Sequence, residues 1–206
     1  MSKAAQKYFE LYAEAEAADL KNLPHDVFHC VIIPCYQEVH LNLKQYSQLT
    51  DASILFIVVV NEPEDASGDA KEINKKLMMS LKEQGELHWK ANAISLFQYG
   101  KDLLFIVERV GELAIPNKQG VGLARKIAAD MASYYYVNQQ LRRDYFHSAD
   151  ADMTVPEDYF SQINTQTSFS AATYSFEHKA VTPELALATQ LYDHKLRCYV
   201  DGLKTA

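Results

Sequence analysis

The sequence predicts an α/β fold, with a mostly parallel sheet covered by helices on both faces. Short apolar runs rich in β-branched residues alternate with longer amphipathic patterns along the chain. The run Ile54 to Val60 is apolar at every position, which is typical of a strand buried on both faces of a parallel sheet. Because crossovers between parallel strands are right-handed, such an alternation places helices on both sides of the sheet. We expect a single domain over residues 1–206.

The predicted elements follow one another closely. Residues 4–20 have helical periodicity and form an N-terminal helical extension that closes by residue 25. The first strand is predicted over 28–33 and stopped by Pro34, and a helix over 37–49 leads to the second strand. The later elements are helices over 70–84 (capped by Asp69, with Gly85 as C-cap) and 117–138, strands over 103–107, 145–149 and 169–174, a short helix opened by Pro156, and a last helix from Pro183 to about residue 200.

Composition excludes several classes of protein. The net charge of −7 and the isoelectric point near 5.5 argue against a nucleic-acid groove, which needs clustered Lys and Arg. The three cysteines form neither a disulfide framework nor a zinc motif, and a reducing, cytoplasmic location fits them best. We find no signal peptide and no apolar stretch of the roughly 20 residues that a transmembrane helix needs.

Polar side chains and one aromatic follow the predicted strands at their carboxyl ends. Ligands of open parallel sheets bind beyond those ends, so these residues are the candidates for a site. The candidates are Pro34, Tyr36 and Glu38 after the first strand, Asn61 after the second, and Asp150 and Asp152 after the fourth.

The Asp-x-Asp pair at 150–152 is the sharpest of these signals. Two neighbouring carboxylates repel each other when both are ionised and shielded from water. A divalent cation removes that repulsion, and carboxylate oxygens suit Mg²⁺ or Mn²⁺. The other explanation is a solvated acidic turn that caps the next segment.

Residues 120–126 begin a helix with two glycines and carry Arg125. An interior glycine destabilises a helix by roughly 1 kcal/mol relative to alanine, so two glycines in its first turns need an explanation. One explanation is close approach of a phosphate or nucleotide to the helix. The other is close packing of the helix on the sheet, with Arg125 on a solvated face.

Four segments together resemble motifs of family 2 glycosyltransferases of the GT-A type. Residues 31–38 read Val-Ile-Ile-Pro-Cys-Tyr-Gln-Glu, close to that family's opening Val-Ile-Ile-Pro-Cys-Tyr-Asn-Glu, with Gln37 in place of the Asn. The second strand ends in Asn61, where the family usually has an Asp. Residues 120–126 resemble its Gly-x-Gly-x-Ala-Arg-Asn helix, with a Lys in the last position. Residues 148–156 resemble its Asp-x-Asp segment, including the trailing Val-Pro.

The resemblance implies a GT-A type, Rossmann-like fold and transfer of a sugar from a nucleotide-diphosphate-sugar donor to an acceptor hydroxyl, with inversion at the anomeric carbon. It implies that Pro34, Tyr36 and Glu38 line the nucleotide pocket. Asn61 would contact the nucleoside, and Arg125 would approach the base or ribose.

The resemblance also implies a metal site, with Asp150 facing the ribose and the metal and Asp152 holding Mn²⁺ or Mg²⁺ directly. Family members continue into an acceptor-binding part with an acidic general base, often a Glu-Asp pair before a Gln-x-x-Arg-Trp-like stretch. We find neither motif here, so no general base is assigned. The expectation is a fragment or a diverged protein that lacks the full acceptor site.

Two other interpretations of the function stay open. A non-catalytic module that binds nucleotide sugars would need no acceptor part. A nucleotidyltransferase would also use a metal, but it usually has a Gly-rich loop just after the first strand, and that glycine pattern is missing around Pro34. An incomplete sheet edge or acceptor face would favour a homo-oligomer.

Overall fold

The computed structural model describes residues 1–163, 171–174, 177–178 and 182–204. The chain divides into two compact units, Met1–Gln162 and Ile163–Ala206. The first unit contains the sheet. In the second, the described regular element is the helix α5, Pro183–Lys204.

A six-stranded mixed sheet forms the centre of the first unit. Its strands are β1 (His29–Cys35), β2 (Ile54–Asn61), β3 (Glu86–Ala91), β4 (Ile94–Tyr99), β5 (Asp102–Arg109) and β6 (His147–Ser148), in the spatial order β3-β4-β5-β2-β1-β6. The neighbours β5, β2, β1 and β6 are parallel, whereas β3 and β4 form an antiparallel hairpin that continues onto β5. The mostly parallel α/β architecture predicted from the sequence is confirmed at this level.

Helices flank this sheet. The helices of the first unit are α1 (Lys3–Leu11), α2 (Lys44–Ser47), α3 (Gly68–Lys82) and α4 (Gly120–Val137). The helix α4 packs its buried stripe, which includes Ile127 and Met131, against β1 and β2. Every residue of β2 is buried, because one set of its alternating side chains meets α4 and the other set faces the opposite layer.

The first strand runs two residues further than predicted. The prediction stopped it at Pro34, but β1 includes Pro34 and ends at Cys35. The pairing with β6 ends at Ile32, whose carbonyl accepts from the amide of Ala149. Proline lacks an N–H, and here the N–H that is missing would point to the side of β1 on which the ladder has already ended.

The helix predicted over 37–49 is wrong in extent, since only Lys44–Ser47 is helical. Leu41 and Leu43 are buried, whereas Val39 is 82% exposed. The helix predicted over 70–84 begins at Gly68 and is capped by Ser67 rather than Asp69, because the Ser67 hydroxyl accepts from the amide of Ala70.

Other predicted elements also differ from the structure. The hairpin of β3 and β4 was not predicted at all, and residues 157–160 form a turn where a short helix opened by Pro156 was predicted. Of the strand predicted over 169–174, residues 169–170 lie outside the described residues and residues 171–174 have no regular secondary structure. Gly85 does not cap α3; a Cβ there would lie 2.5 Å from the carbonyl oxygen of Gln98, so the close approach of β4 requires glycine.

The N-terminal extension is helical only in part, as α1 and a 3-10 turn over Ala15–Asp19. It is tied to α4 through the buried carboxylate of Asp130, which accepts from the hydroxyl of Tyr8 at 2.7 Å and from the amide of Glu14 at 2.8 Å. The buried Glu16 pairs with Arg109 of β5 at 3.2 Å. Side-chain contacts from α4 and from β5 therefore fix this extension.

Among the helices of the described residues, none combines the length and the apolar character that crossing a bilayer requires.

Candidate functional site

A cavity of about 180 Å³ opens at the carboxyl edge of the sheet. Its walls come from the end of β1 and the loop after it, the end of β2 and the loop after it, the segment before α4 and the first turn of α4. The lining residues are Pro34, Tyr36, Asn61, Pro63, Ile115, Gly120 and Val121. Three of the predicted nucleotide-binding residues therefore meet in one small and mainly apolar cavity.

Asn61 is the buried polar group of this cavity. The residue is 5% exposed, and its side-chain oxygen Oδ1 has no hydrogen-bond partner. A buried acceptor without a donor costs about 1–3 kcal/mol, so the fold carries a penalty at this position that a donor group would relieve. The aromatic ring of Tyr36, which is 38% exposed, lies in the same lining.

The loop after β1 has an unusual backbone. Gln37 has φ +59°, in the left-handed region that side-chain-bearing residues rarely adopt. Its amide donates to Oδ1 of Asn74 at 3.0 Å, and Nδ2 of Asn74 donates to the carbonyl of Asn61 at 3.1 Å. A single side chain of α3 thus holds both the β1 loop and the end of β2.

A second buried polar side chain braces the far side of the cavity. Oε1 of Glu62, a residue that is 3% exposed, accepts from the amide of Gly111 at 2.8 Å. The backbone carbonyl of Glu62 accepts from the amide of Ile115 at 2.8 Å, which sets Ile115 in the cavity wall. The loop between β5 and α4 is therefore fixed to the end of β2.

The start of α4 leaves open space above its two glycines. A Cβ built at Gly120 or at Gly122 would meet nothing within 4 Å. Close packing of the helix on the sheet therefore does not account for either residue. Gly120 has φ +47°, so its backbone conformation favours glycine. Gly122 has no such requirement in the protein alone.

Charged side chains form a separate group beside the cavity. Arg125 of α4 forms an ion pair with Asp150, and both side chains are substantially exposed, at 40% and 63%. The pKa of Glu38 is raised by burial and by the nearby negative charge of Asp152. None of Glu38, Arg125 and Asp150 belongs to the cavity lining, although all were predicted to bind the nucleotide sugar.

The Asp-x-Asp segment is held by Gln45 of α2. Nε2 of Gln45 donates to the carbonyl of Met153 at 3.3 Å, and its Oε1 accepts from the amide of Val155 at 3.3 Å. Immediately before the segment, the amide of Ala149 continues the ladder of β6 onto β1. Asp150 and Asp152 are thus anchored on both sides while their carboxylates face solvent.

The donor atoms present suit a hard divalent cation. Asp150 and Asp152 offer carboxylate oxygens, which Mg²⁺ and Mn²⁺ prefer. Within the part of the chain that the structure describes, no three His, Cys, Asp or Glu side chains are grouped so as to hold a metal. Mg²⁺ is commonly bound by one or two carboxylates and completed by substrate phosphates and water. The two carboxylates alone are therefore an incomplete ligand set, which further oxygen ligands would have to complete.

Cys35 lies next to the cavity but is a poor nucleophile. The residue is 1% exposed, and burial raises the pKa of its thiol far above neutral pH. The reactive thiolate is therefore strongly disfavoured.

A larger, open hollow of about 450 Å³ lies at the other end of α4, between α1 and Arg142. None of its lining residues, all within the described ranges, has a buried polar atom without a partner. The smaller cavity is the better candidate because it combines enclosure, an aromatic ring and the unpaired acceptor of Asn61.

Sequence reasoning missed Asn74, Ile115 and the bracing role of Glu62. A signal for Asn74 exists, since it lies on the same helical face as Ala70 and Leu77, where an apolar residue is expected. A polar residue in such a stripe indicates a buried hydrogen-bonding role.

Comparison of the chain with protein-family models, with curated proteins and with solved structures finds no match.

Proposed function

We propose that this chain is a divalent-metal-dependent glycosyltransferase domain that binds a nucleotide-diphosphate sugar at the carboxyl edge of its sheet. The observation that carries the proposal is the cavity of about 180 Å³ in which Tyr36 and the unpaired Oδ1 of Asn61 lie together. The four sequence motifs that resemble family 2 glycosyltransferases support the same function, and the finer GT-A assignment of the fold belongs to this proposal.

The cavity suits a nucleoside. Tyr36 offers an aromatic face on which a flat base or sugar ring can stack. Asn61 offers a buried acceptor for an N–H of the base or a hydroxyl of the ribose, and forming that bond would remove an existing penalty. The open space above Gly120 and Gly122 lets a ligand approach the backbone of α4 closely.

The charged group beside the cavity suits a diphosphate. Mn²⁺ or Mg²⁺ held by Asp150 and Asp152 would neutralise the diphosphate as it leaves the sugar. Arg125 supplies a cation at the same place, which an acidic protein with a net charge of −7 needs in order to bind phosphates.

Thermal unfolding with UDP and with GDP, each with and without Mn²⁺, tests the proposal. A ligand at about 100 times its Kd adds about 2.7 kcal/mol, which raises the melting temperature of a protein of this size by about 5–10 °C. We expect one nucleotide to stabilise the protein only with Mn²⁺, and Asp152→Ala to abolish the shift. Glu157→Ala, which removes an exposed acid close by, is the matched control and should keep it.

A second candidate is a module that binds nucleotide sugars without catalysing transfer. The ion pair between Arg125 and Asp150 favours it, because one carboxylate of the Asp-x-Asp pair already has a cationic partner. Such a module predicts a nucleotide-dependent shift that does not need Mn²⁺ and survives Asp152→Ala. Absence of any shift with either nucleotide would contradict both candidates for these two bases.

A further inference from the structure

We infer that Asn74 is a positioning residue for the cavity, because its amide fixes two of the backbone segments that line it, the loop after β1 and the end of β2. Asn74 acts on a ligand indirectly, through the backbone groups of Gln37 and Asn61 to which its side chain is hydrogen-bonded. The binding part of this inference rests on the proposed nucleotide site, whereas the structural part does not.

The side-chain amide of Asn74 is fully buried and bridges the loop after β1 and the end of β2. Its exposed fraction is 0%, although it lies on the apolar face of α3 between Ala70 and Leu77. Oδ1 accepts from the amide of Gln37 at 3.0 Å, and Nδ2 donates to the carbonyl of Asn61 at 3.1 Å. An apolar side chain in this place would leave both of those backbone groups without this partner.

The bond to Gln37 matters because of the conformation that it holds. Gln37 has φ +59°, a region that Asn and Asp tolerate through short side chains and that a longer side chain adopts at a cost. The residues on either side are Tyr36, in the cavity lining, and Glu38, beside Asp152. Without the bond, we expect Gln37 to relax toward negative φ and turn Tyr36 away from the cavity.

The bond to Asn61 acts on the second wall. It fixes the backbone at the end of β2, from which the side chain of Asn61 presents its unpaired Oδ1. One substitution at residue 74 therefore disturbs the aromatic face and the acceptor together. A residue that only fills the core of α3 has no such connection.

Two variants and one control separate positioning from general stability. Asn74→Leu keeps a similar volume and removes both hydrogen bonds. Asn74→Asp keeps the acceptor for Gln37 and removes the donor to Asn61. Leu77→Ala changes a residue of the same buried helix face. It destabilises α3 but leaves both hydrogen bonds of Asn74 in place. Each is compared with wild type at a temperature at which all are folded.

The first readout is hydrogen exchange at the amides of residues 36–38, which requires no ligand. We expect exchange at Gln37 at least tenfold faster in Asn74→Leu, near the wild-type rate in Asn74→Asp, and unchanged in Leu77→Ala after correction for global stability. An unchanged rate in Asn74→Leu would overturn the inference, as would an equal acceleration in Leu77→Ala. If Asn74→Leu does not fold, Asn74→Ala replaces it: exchange at Gln37 at least tenfold faster than in Leu77→Ala, after correction for global stability, supports the inference, and equal exchange in the two variants overturns it.

The second readout is the Kd of UDP and of GDP with Mn²⁺, measured by calorimetry. We expect the Kd of the nucleotide that binds to rise at least tenfold in Asn74→Leu and to stay within twofold in Leu77→Ala. A Kd within twofold of wild type in Asn74→Leu would overturn the positioning role. If wild type binds neither nucleotide, the proposed function fails, and the exchange experiment alone decides whether Asn74 orders the loop.

Discussion

The ammonium group of Lys126 lies 2.8 Å from Oδ2 of Asp130, one turn further along α4, and 2.9 Å from Oε1 of Glu14 in the N-terminal extension. Burial alone lowers the pKa of Lys126, but hydrogen bonds to Asp130 and Glu14 raise it to about 12. Lys126 therefore stays charged at neutral pH. This cluster joins the extension to the same helix that carries Arg125.

The buried carboxylate of Asp130 should be the most important group of this cluster. Asp130→Ala removes the partner of the Tyr8 hydroxyl, of the Glu14 amide and of Lys126. We expect the free energy of unfolding to fall by about 2–3 kcal/mol, less than for a fully buried ion pair because Lys126 is 39% exposed and keeps Glu14. The midpoint of urea unfolding measures this change.

Tyr8→Phe tests one bond of the cluster, with Tyr12→Phe as its control. The hydroxyl of Tyr8 donates to Asp130 at 2.7 Å, so its loss should cost about 1 kcal/mol. Tyr12 is 61% exposed, and the same substitution there should change stability by less than about 0.5 kcal/mol. Equal effects of the two substitutions would show that the extension is not held through Asp130.

The two glycines at the start of α4 should respond to alanine in opposite directions. Gly120 has φ +47°, which strains any L side chain, so Gly120→Ala should destabilise the fold by about 1 kcal/mol. Gly122 has ordinary helical backbone and open space, so Gly122→Ala should stabilise the fold by up to about 1 kcal/mol. Thermal unfolding of both variants measures the signs, and a loss of stability in Gly122→Ala would indicate a steric constraint that the open space does not show.

Much of the sheet could be predicted from the sequence because the signals were local. The unbroken apolar run of β2 is the direct consequence of burial on both faces. Since parallel strands end at the same edge, Pro34, Tyr36 and Asn61 come together there and line one cavity. Their role in binding a nucleotide stays a prediction.

Other features depended on contacts that no local pattern shows. Residues 86–91 alternate polar and apolar side chains, which is a strand signal, but β3 is an exposed edge strand without a long apolar run. Asp130 resembles an ordinary polar helix residue until Tyr8, far away in the sequence, comes to lie against it. The ion pair of Arg125 with Asp150 likewise depends on the placement of α4 relative to β6.

A buried histidine pair should make stability depend on pH. The rings of His29 and His147 lie 6.0 Å apart, beneath Tyr159 and Phe160. Burial lowers the pKa of both to about 4; Arg143 adds to the effect on His29, and His29 and Arg143 add to that on His147. The unfolded chain binds these protons near pH 6.5, so the stabilisation is complete above that pH and is lost as the pH falls toward 4.

The expected loss is on the order of 2–3 kcal/mol for each histidine between pH 7 and pH 4. Urea unfolding over this range measures it, and His29→Gln should flatten the curve relative to wild type. His40→Gln, at an exposed position, is the control and should leave the slope unchanged. A wild-type slope retained in His29→Gln would contradict the assignment to this pair.

Asn61 and Asn74 should differ in the stability that each loses when it is replaced by leucine. Oδ1 of Asn61 has no partner, so Asn61→Leu should keep the free energy of unfolding within about 1 kcal/mol of wild type. Asn74 makes two buried hydrogen bonds, so Asn74→Leu should lose about 2–3 kcal/mol. Urea unfolding separates the two cases.

The affinity for nucleotide tests the role of Asn61 in binding, separately from its effect on stability. Asn61→Leu should raise the Kd of the bound nucleotide at least tenfold, which corresponds to about 1.4 kcal/mol, the value of one hydrogen bond in a buried site. A large loss of stability together with unchanged affinity would show that Asn61 serves the fold and not the ligand.

The ion pair between Arg125 and Asp150 should compete with a metal ion. Both side chains are largely exposed, so Arg125→Ala should change stability by less than about 1 kcal/mol. It frees a carboxylate oxygen, and the Kd of Mn²⁺ measured without nucleotide should therefore fall about two- to fivefold, in proportion to the 0.5–1 kcal/mol of an exposed pair. Titration of Mn²⁺ followed by electron paramagnetic resonance gives this constant.

Arg142→Ala is the matched control for that titration. It breaks a similarly exposed ion pair with Asp26, away from the Asp-x-Asp segment, and removes the same unit of positive charge. If the Mn²⁺ affinity rises only in Arg125→Ala, the cation of Arg125 and the metal share Asp150. If the affinity rises equally in both variants, the gain reflects the change in net charge alone. The ion pair with Arg125 then does not compete with the metal for Asp150. With nucleotide present, Arg125→Ala should weaken binding instead, because the diphosphate then loses a cation that the metal does not replace.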